Sequence, residues 1–131
     1  MTHLLWVWGP AAALMAVIFA LSSISDIPAP PVGLSDVSVH AIVYAALGVL
    51  MVRALADARW RGVTARTVVA AVALAILYGA TDEYHQSFVE GRFADVRDVL
   101  ADAVGACTGA GVVWAWSIVF SVRHSRGRHD L

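Results

Sequence analysis

The chain has 131 residues, 60% of them hydrophobic, and a mean hydropathy of +0.72. This length suits one domain, but a soluble domain of that size needs a more polar surface, so the composition excludes an ordinary soluble protein and indicates a chain in lipid. A net charge of -1 gives no reason to expect a nucleic-acid partner. The single cysteine, Cys107, excludes an internal disulfide and suits an apolar run.

Four apolar runs approach the roughly 20 residues that a transmembrane helix needs. The first covers 4–22 and lacks a basic leader, so it is predicted to be a retained anchor and not a cleaved signal peptide. The others cover 37–56, 67–84 and 99–122. The predicted fold is an all-α integral membrane four-helix bundle, with residues 1–122 forming the transmembrane domain and 123–131 a short Arg-rich cytoplasmic tail.

The connections between these runs predict the orientation in the membrane. Pro28, Pro30 and Pro31 cannot continue a helix, so they predict a loop after the first run, and this loop has no basic residue. All nine basic residues are Arg, and all except Arg92 and Arg97 lie in the second connection or the tail. The positive-inside rule then predicts a multi-pass protein of the bacterial plasma membrane with both termini cytoplasmic.

The predicted outward side carries nearly all the acidic residues and gathers several polar side chains. Asp36 and His40 lie one helical turn apart at the start of the second run. At the end of the predicted third helix, Asp82 shares a face with His85 and Gln86, whereas Glu83 is expected to point to the flank.

The predicted fourth helix begins with Asp98 and Asp102, again one turn apart, and the same stripe continues through Gly105 and Gly109. Because a Gly-x-x-x-Gly stripe lets another helix approach closely, this face is predicted to lie inside the bundle. The apolar part of the third run, 67–81, is too short to span the hydrocarbon, so its polar end is expected to line a water-accessible pocket below the interface. A solvated helix end is the alternative.

In order and spacing, these motifs resemble those of VanZ-like membrane proteins. The resemblance extends from the Leu21-Ser22-Ser23 segment to Gly109 and rests on Asp36, His40, the run Asp82-Glu83-Tyr84-His85-Gln86, Phe88, Gly91, Arg92, Asp98, Asp102 and Gly105. It implies a cell-envelope setting and, as in the family's namesake, low-level resistance to lipophilic glycopeptides such as teicoplanin. It implies no particular reaction.

Two residues depart from the family's usual pattern. Val37 stands where a Lys is usual, which removes a cation from the outer face. Asp102 stands where an Asn is usual, which adds a carboxylate and favours a bound cation or a shared proton.

Three functions are compatible with this polar face. The first is non-enzymatic binding of a membrane lipid or another amphiphilic envelope ligand. The second is a membrane enzyme acting on an envelope lipid, and the third is proton-coupled transport, which would require an oligomer because four helices form a narrow bundle. The predicted ligand-binding residues are Asp36, His40, Asp82, Glu83, His85, Gln86, Arg92, Asp98 and Asp102.

An enzyme would draw its catalytic residues from Asp82, Glu83 and His85. Imidazole and carboxylate groups also suit a divalent ion such as Zn²⁺ or Mn²⁺, with His40, Asp82, His85 and Asp98 as candidate ligands, although the spacing matches no established metal motif. His40 is equally compatible with a plain interhelical hydrogen bond. Arg92 is interpreted as an ion-pair partner of Asp82, Asp95 or Asp98, with an anion clamp as the alternative, and Asp95 as a helix cap.

Overall fold

The structure of the protein is a computed structural model that describes residues 1–25 and 33–126. In these residues it consists of helices with no strand, in the order α1 (Thr2–Ser22), α2 (Asp36–Leu55), a short 3₁₀ turn (Trp60–Gly62), α3 (Ala65–Gln86) and α4 (Val96–Arg126). Four of these helices are long and apolar enough to cross a membrane. The predicted all-α, four-helix membrane fold is therefore confirmed. The prolines of the first connection lie outside the described residues.

Short polar side chains begin each of the last three helices. Ser35 accepts a hydrogen bond from the amide of Ser38 at the start of α2, and Thr64 and Thr67 form a reciprocal capping box at the start of α3. At α4, Asp95 Oδ1 accepts from the amide of Arg97 at 2.8 Å, which is the cap predicted for Asp95. These caps determine the residue at which each helix begins, and so the position of the side chains in its first turn.

The closest helix interface joins α2 and α4 through small residues. An ideal Cβ at Gly105 would lie 2.2 Å from the carbonyl oxygen of Ala41, and one at Gly109 would lie 2.0 Å from that of Ala45. Gly48 of α2 is packed in the same way against Ala106. The glycine stripe of α4 therefore lies inside the bundle, as predicted.

Pro10 leaves a gap in the hydrogen bonding of α1 that α2 fills. Because proline has no amide hydrogen, the carbonyl of Trp6 lacks its helical partner. Arg53 Nη1 donates to Trp6 O at 2.9 Å and to Val7 O at 2.8 Å, and its guanidinium lies over the Trp6 ring. At mid-height, Tyr78 donates to Met15 O at 2.6 Å. Both contacts hold α1 against the rest of the bundle.

Among the described residues, most of the buried polar side chains lie at one end of the bundle. That end contains the last turn of α1, the first turns of α2 and α4, and the last turn of α3. At about 1.5 Å per residue, the 22 residues of α3 span about 33 Å, and they reach this length only by including Asp82, Glu83 and Gln86. All three of these side chains are buried. The prediction of a polar interior below the helix ends agrees with this arrangement.

Candidate functional site

His40 on α2 is held by a carboxylate of α4. Its Nδ1 lies 2.9 Å from Oδ1 of Asp102, which is only 1% exposed. With Asp102 ionised and His40 neutral, the imidazole proton lies on Nδ1, because a carboxylate can only accept, and Nε2 keeps its lone pair. Nε2 faces Asp98, whose Oδ2 lies 3.9 Å away. In this form, His40 presents an acceptor nitrogen toward a second carboxylate.

Glu83 completes a group that we name the His40 cluster, consisting of His40, Glu83, Asp98 and the supporting Asp102. Glu83 is 5% exposed, and its Oε2 accepts from the amide of Asp95 at 2.9 Å. One potential ligand atom from each of His40, Glu83 and Asp98 lies within 4.8 Å of the others. Three separate segments thus converge on one small volume.

The expectation that Glu83 points to the flank is wrong. The end of α3 is enclosed on two sides, because Asp82 faces α1 while Glu83 faces the start of α4. The end of α3 therefore has two buried faces, and Glu83 lies on the second of them. Gly79 lies one turn before Glu83 on the same stripe, and this small residue was the available signal for a second close helix contact.

A second group, the Asp82 network, consists of Ser22, Asp82, Gln86 and Arg92. Ser22 donates to Asp82 Oδ1 at 2.7 Å, and Gln86 Nε2 donates to Asp82 Oδ2 at 3.0 Å. Arg92 donates from Nε and Nη2 to Gln86 Oε1 at 3.2 and 2.7 Å. The expected ion pair of Arg92 with a carboxylate is therefore wrong, because the Gln86 amide lies between the two charges. Both Asp82 oxygens already have a donor.

Two glycines shape this end of the bundle. An ideal Cβ at Gly79 would lie 2.6 Å from Asp102 Oδ2 and 3.1 Å from Cε1 of Tyr44, so glycine provides the space that the Asp102 carboxylate occupies. Gly91 has φ of +79°, a conformation that glycine adopts without strain, and it turns the chain so that Arg92 folds back onto Gln86.

The remaining predicted site residues lie apart from the His40 cluster. Asp36 is exposed in the first turn of α2. His85 stacks on Phe19 with ring centroids 4.5 Å apart, and its Nδ1 is buried without a partner among the described residues. Of the four candidate metal ligands, the structure brings His40 and Asp98 together with Glu83 and gives Asp82 and His85 other contacts.

Comparison with known proteins identifies one family. The family model described as VanZ/LLP1 matches residues 37–120, which is more than half of the chain and includes every residue of the His40 cluster. Asp36 lies immediately before the match, and Ser22 lies 15 residues before it. No curated protein and no solved structure matches the chain.

Proposed function

The chain belongs to the VanZ/LLP1 family, and from that premise we propose that it binds an amphiphilic envelope ligand, a lipid-linked precursor or a lipophilic glycopeptide. The polar head of this ligand enters the polar end of the bundle, and its apolar part stays in the membrane. A role in teicoplanin-type resistance follows if the ligand is the antibiotic.

The observation that carries this proposal is a set of buried polar atoms without partners. Within residues 1–25 and 33–126 these are Tyr44 Oη, Glu83 Oε1, His85 Nδ1 and Asp102 Oδ2, which come from α2, α3 and α4. A buried polar atom without a hydrogen bond costs about 1–3 kcal/mol. A polar head group that formed hydrogen bonds with several of these atoms would remove this cost, and the free energy of binding would become more favourable by the same amount.

The α3–α4 connection supplies the apolar side of the same site. Phe88 is 71% exposed and Phe93 is 89% exposed, and Tyr84 packs edge-on against Phe88. Aromatic side chains are favoured at the membrane interface. Arg92 lies between the two phenylalanines in sequence and offers a cation to a phosphate or carboxylate. This combination fits a ligand with an anionic head and an apolar tail.

Arg92 and Arg97 offer a matched test of ligand binding. Both belong to the segment around the start of α4, but Arg92 is part of the Asp82 network, through Gln86, whereas Arg97 is exposed. We expect Arg92→Gln to weaken binding of teicoplanin or of a polyprenyl phosphate at least tenfold in nanodiscs, and Arg97→Gln to leave it within twofold. Equal affinities for the parent and both variants would remove the proposed site.

Resistance is tested separately in a susceptible bacterial host. Expression of the protein should raise the inhibitory concentration of teicoplanin and leave that of a glycopeptide without an acyl chain unchanged. Arg92→Gln should abolish the increase. An unchanged teicoplanin susceptibility in cells that contain the protein in their membrane would exclude the antibiotic as its ligand.

A second candidate function is a membrane enzyme acting on an envelope lipid, which the pairing of His40 with Asp102 favours. A carboxylate that orients an imidazole leaves the opposite nitrogen able to accept a proton from a substrate. The test is product formation from polyprenyl and phospholipid substrates with Mg²⁺, Mn²⁺ or Zn²⁺. Turnover that persists in His40→Gln would contradict this assignment of the base.

A further inference from the structure

We propose that the His40 cluster binds one divalent transition-metal ion, Zn²⁺ or Mn²⁺. Nε2 of His40 and the carboxylates of Glu83 and Asp98 are the protein ligands. Asp102 orients His40 through a hydrogen bond with its other ring nitrogen, Nδ1. This site differs from the sequence-based prediction because Glu83 replaces Asp82 and His85.

The donor set is one that such ions take. Imidazole nitrogen together with carboxylate oxygen suits Zn²⁺ and Mn²⁺, and three protein ligands leave further positions for water or a ligand. The hydrogen bond between His40 Nδ1 and Asp102 is the support that a metal-bound histidine normally receives, because it fixes the tautomer and orients the ring. The cluster therefore has both the ligands and the supporting contact.

Glu83 provides independent support for a cation site. This side chain is 5% exposed, and its Oε1 is buried with no hydrogen-bond partner among the described residues. The backbone amide of Asp95 fixes the other oxygen at 2.9 Å. A buried carboxylate oxygen that is held in place and lacks a donor is suited to coordinate an ion.

The charges of the cluster also favour a bound cation. Glu83, Asp98 and Asp102 place three carboxylates around a single imidazole. Within the described chain, no arginine lies within 4.0 Å of any of them. Even a protonated imidazole would offset only one of these three charges, and uncompensated charge is unfavourable in a largely buried site. A divalent cation would neutralise two of these charges.

The distances require only side-chain adjustment. Two ligands held about 2.1 Å from one metal are about 3.0–3.4 Å apart in tetrahedral or octahedral geometry. Nε2 of His40 and Oδ2 of Asp98 are 3.9 Å apart, and the widest separation in the group is within 4.8 Å. The Asp98 carboxylate is 17% exposed, which leaves it room to rotate and shorten the first distance.

Metal binding is tested on the full chain purified in detergent and stripped with EDTA. We expect native mass spectrometry and calorimetric titration with ZnCl₂ and MnCl₂ to show one ion per chain. Glu83→Gln and Asp98→Asn should each lower the affinity at least tenfold. Asp36→Asn and Glu90→Gln each remove an exposed carboxylate at the same end without touching the ligands, and both should stay within twofold of the parent.

A spectroscopic measurement separates loss of a ligand from loss of the fold. Mn²⁺ bound to the parent should show nitrogen coupling from one imidazole in pulsed EPR, and His40→Gln should lose this coupling while eluting as a monodisperse protein. Three results would each overturn the proposal: no stoichiometric ion in the parent, unchanged affinity in both carboxylate variants, or parent Mn²⁺ without nitrogen coupling. None of these measurements involves an amphiphile, so the metal site and the proposed ligand can fail separately.

Discussion

Ser22 ties α1 to the polar end of the bundle through a single hydroxyl group. It is 3% exposed and donates to Asp82 Oδ1 at 2.7 Å, across 60 residues of sequence. We expect Ser22→Ala to lower the free energy of unfolding by about 1–3 kcal/mol, because a buried carboxylate oxygen loses its donor. Ser23→Ala is the control, since that hydroxyl is exposed and bonds only to its own helix. Unfolding in detergent, followed by circular dichroism, measures both.

Gly79 makes the position of Asp102 testable without changing a polar group. The added methyl of Gly79→Ala would meet Asp102 Oδ2 at 2.6 Å and Tyr44 at 3.1 Å, so the carboxylate must move. Ligand or metal affinity should fall at least fivefold while the protein stays folded. Gly9→Ala in α1 meets nothing within 4 Å and should leave affinity unchanged. Parent-like affinity in Gly79→Ala would show that Asp102 does not need its observed position.

At the residue scale, sequence predicted which polar residues gather but not how they pair. Helical spacing placed His40, Asp98 and Asp102 on inward stripes, and all three meet in the His40 cluster. Spacing within one helix cannot reveal that α3 is enclosed on two sides, and this is why Glu83 was assigned to the flank. The Gln86 amide that separates Arg92 from Asp82 depends on the turn at Gly91, a tertiary feature.

At the scale of elements, the contact between α2 and α4 determines the geometry of the His40 cluster, because it brings His40 beside Asp102. Glycines of α4 lie against alanine carbonyls of α2, and such close contact is possible only where no side chain intervenes. Between apolar helices in lipid, packing of this kind is a principal source of association. The geometry of the His40 cluster therefore depends on an interface that lies mostly below it.

Gly109 and Gly111 should respond to alanine with opposite signs. In Gly109→Ala the methyl would meet the backbone oxygen of Ala45 at 2.0 Å, so the helices must separate and stability should fall by about 1–3 kcal/mol. In Gly111→Ala nothing lies within 4 Å, so the higher helix propensity of alanine should raise stability by up to about 1 kcal/mol. Thermal unfolding in the same detergent compares them. Similar melting temperatures for the two variants would contradict this interface.

Hydrophobicity predicted the existence of the helices well and their ends less well. The fourth run was expected to begin near residue 99, but α4 begins at Val96 because Asp95 caps it there. Similarly, α3 continues to Gln86 because Asp82 and Glu83 find partners inside the bundle. Charged residues lower the apparent hydrophobicity of a helix end even when tertiary contacts satisfy them. The apolar runs therefore underestimate the lengths of these helices.

At the scale of the whole molecule, the two ends of the bundle differ in charge. The polar end carries the His40 cluster and the Asp82 network, whereas the α2–α3 connection carries Arg59 and Arg61. Because basic loops are retained in the cytoplasm, we predict that the polar end faces outward. A ligand in the outer leaflet reaches the polar end only in this orientation.

Cysteine labelling in intact cells tests the orientation directly. In a Cys107→Ala background, Glu90→Cys lies in the exposed α3–α4 connection and Ala58→Cys lies in the exposed α2–α3 connection. We expect a membrane-impermeant maleimide to label Glu90→Cys in intact cells and Ala58→Cys only after permeabilisation, because the arginines keep that connection in the cytoplasm. The reverse pattern would place the polar end inside. It would also exclude a ligand that reaches the site from the outer leaflet, whereas the proposed metal site would be unaffected.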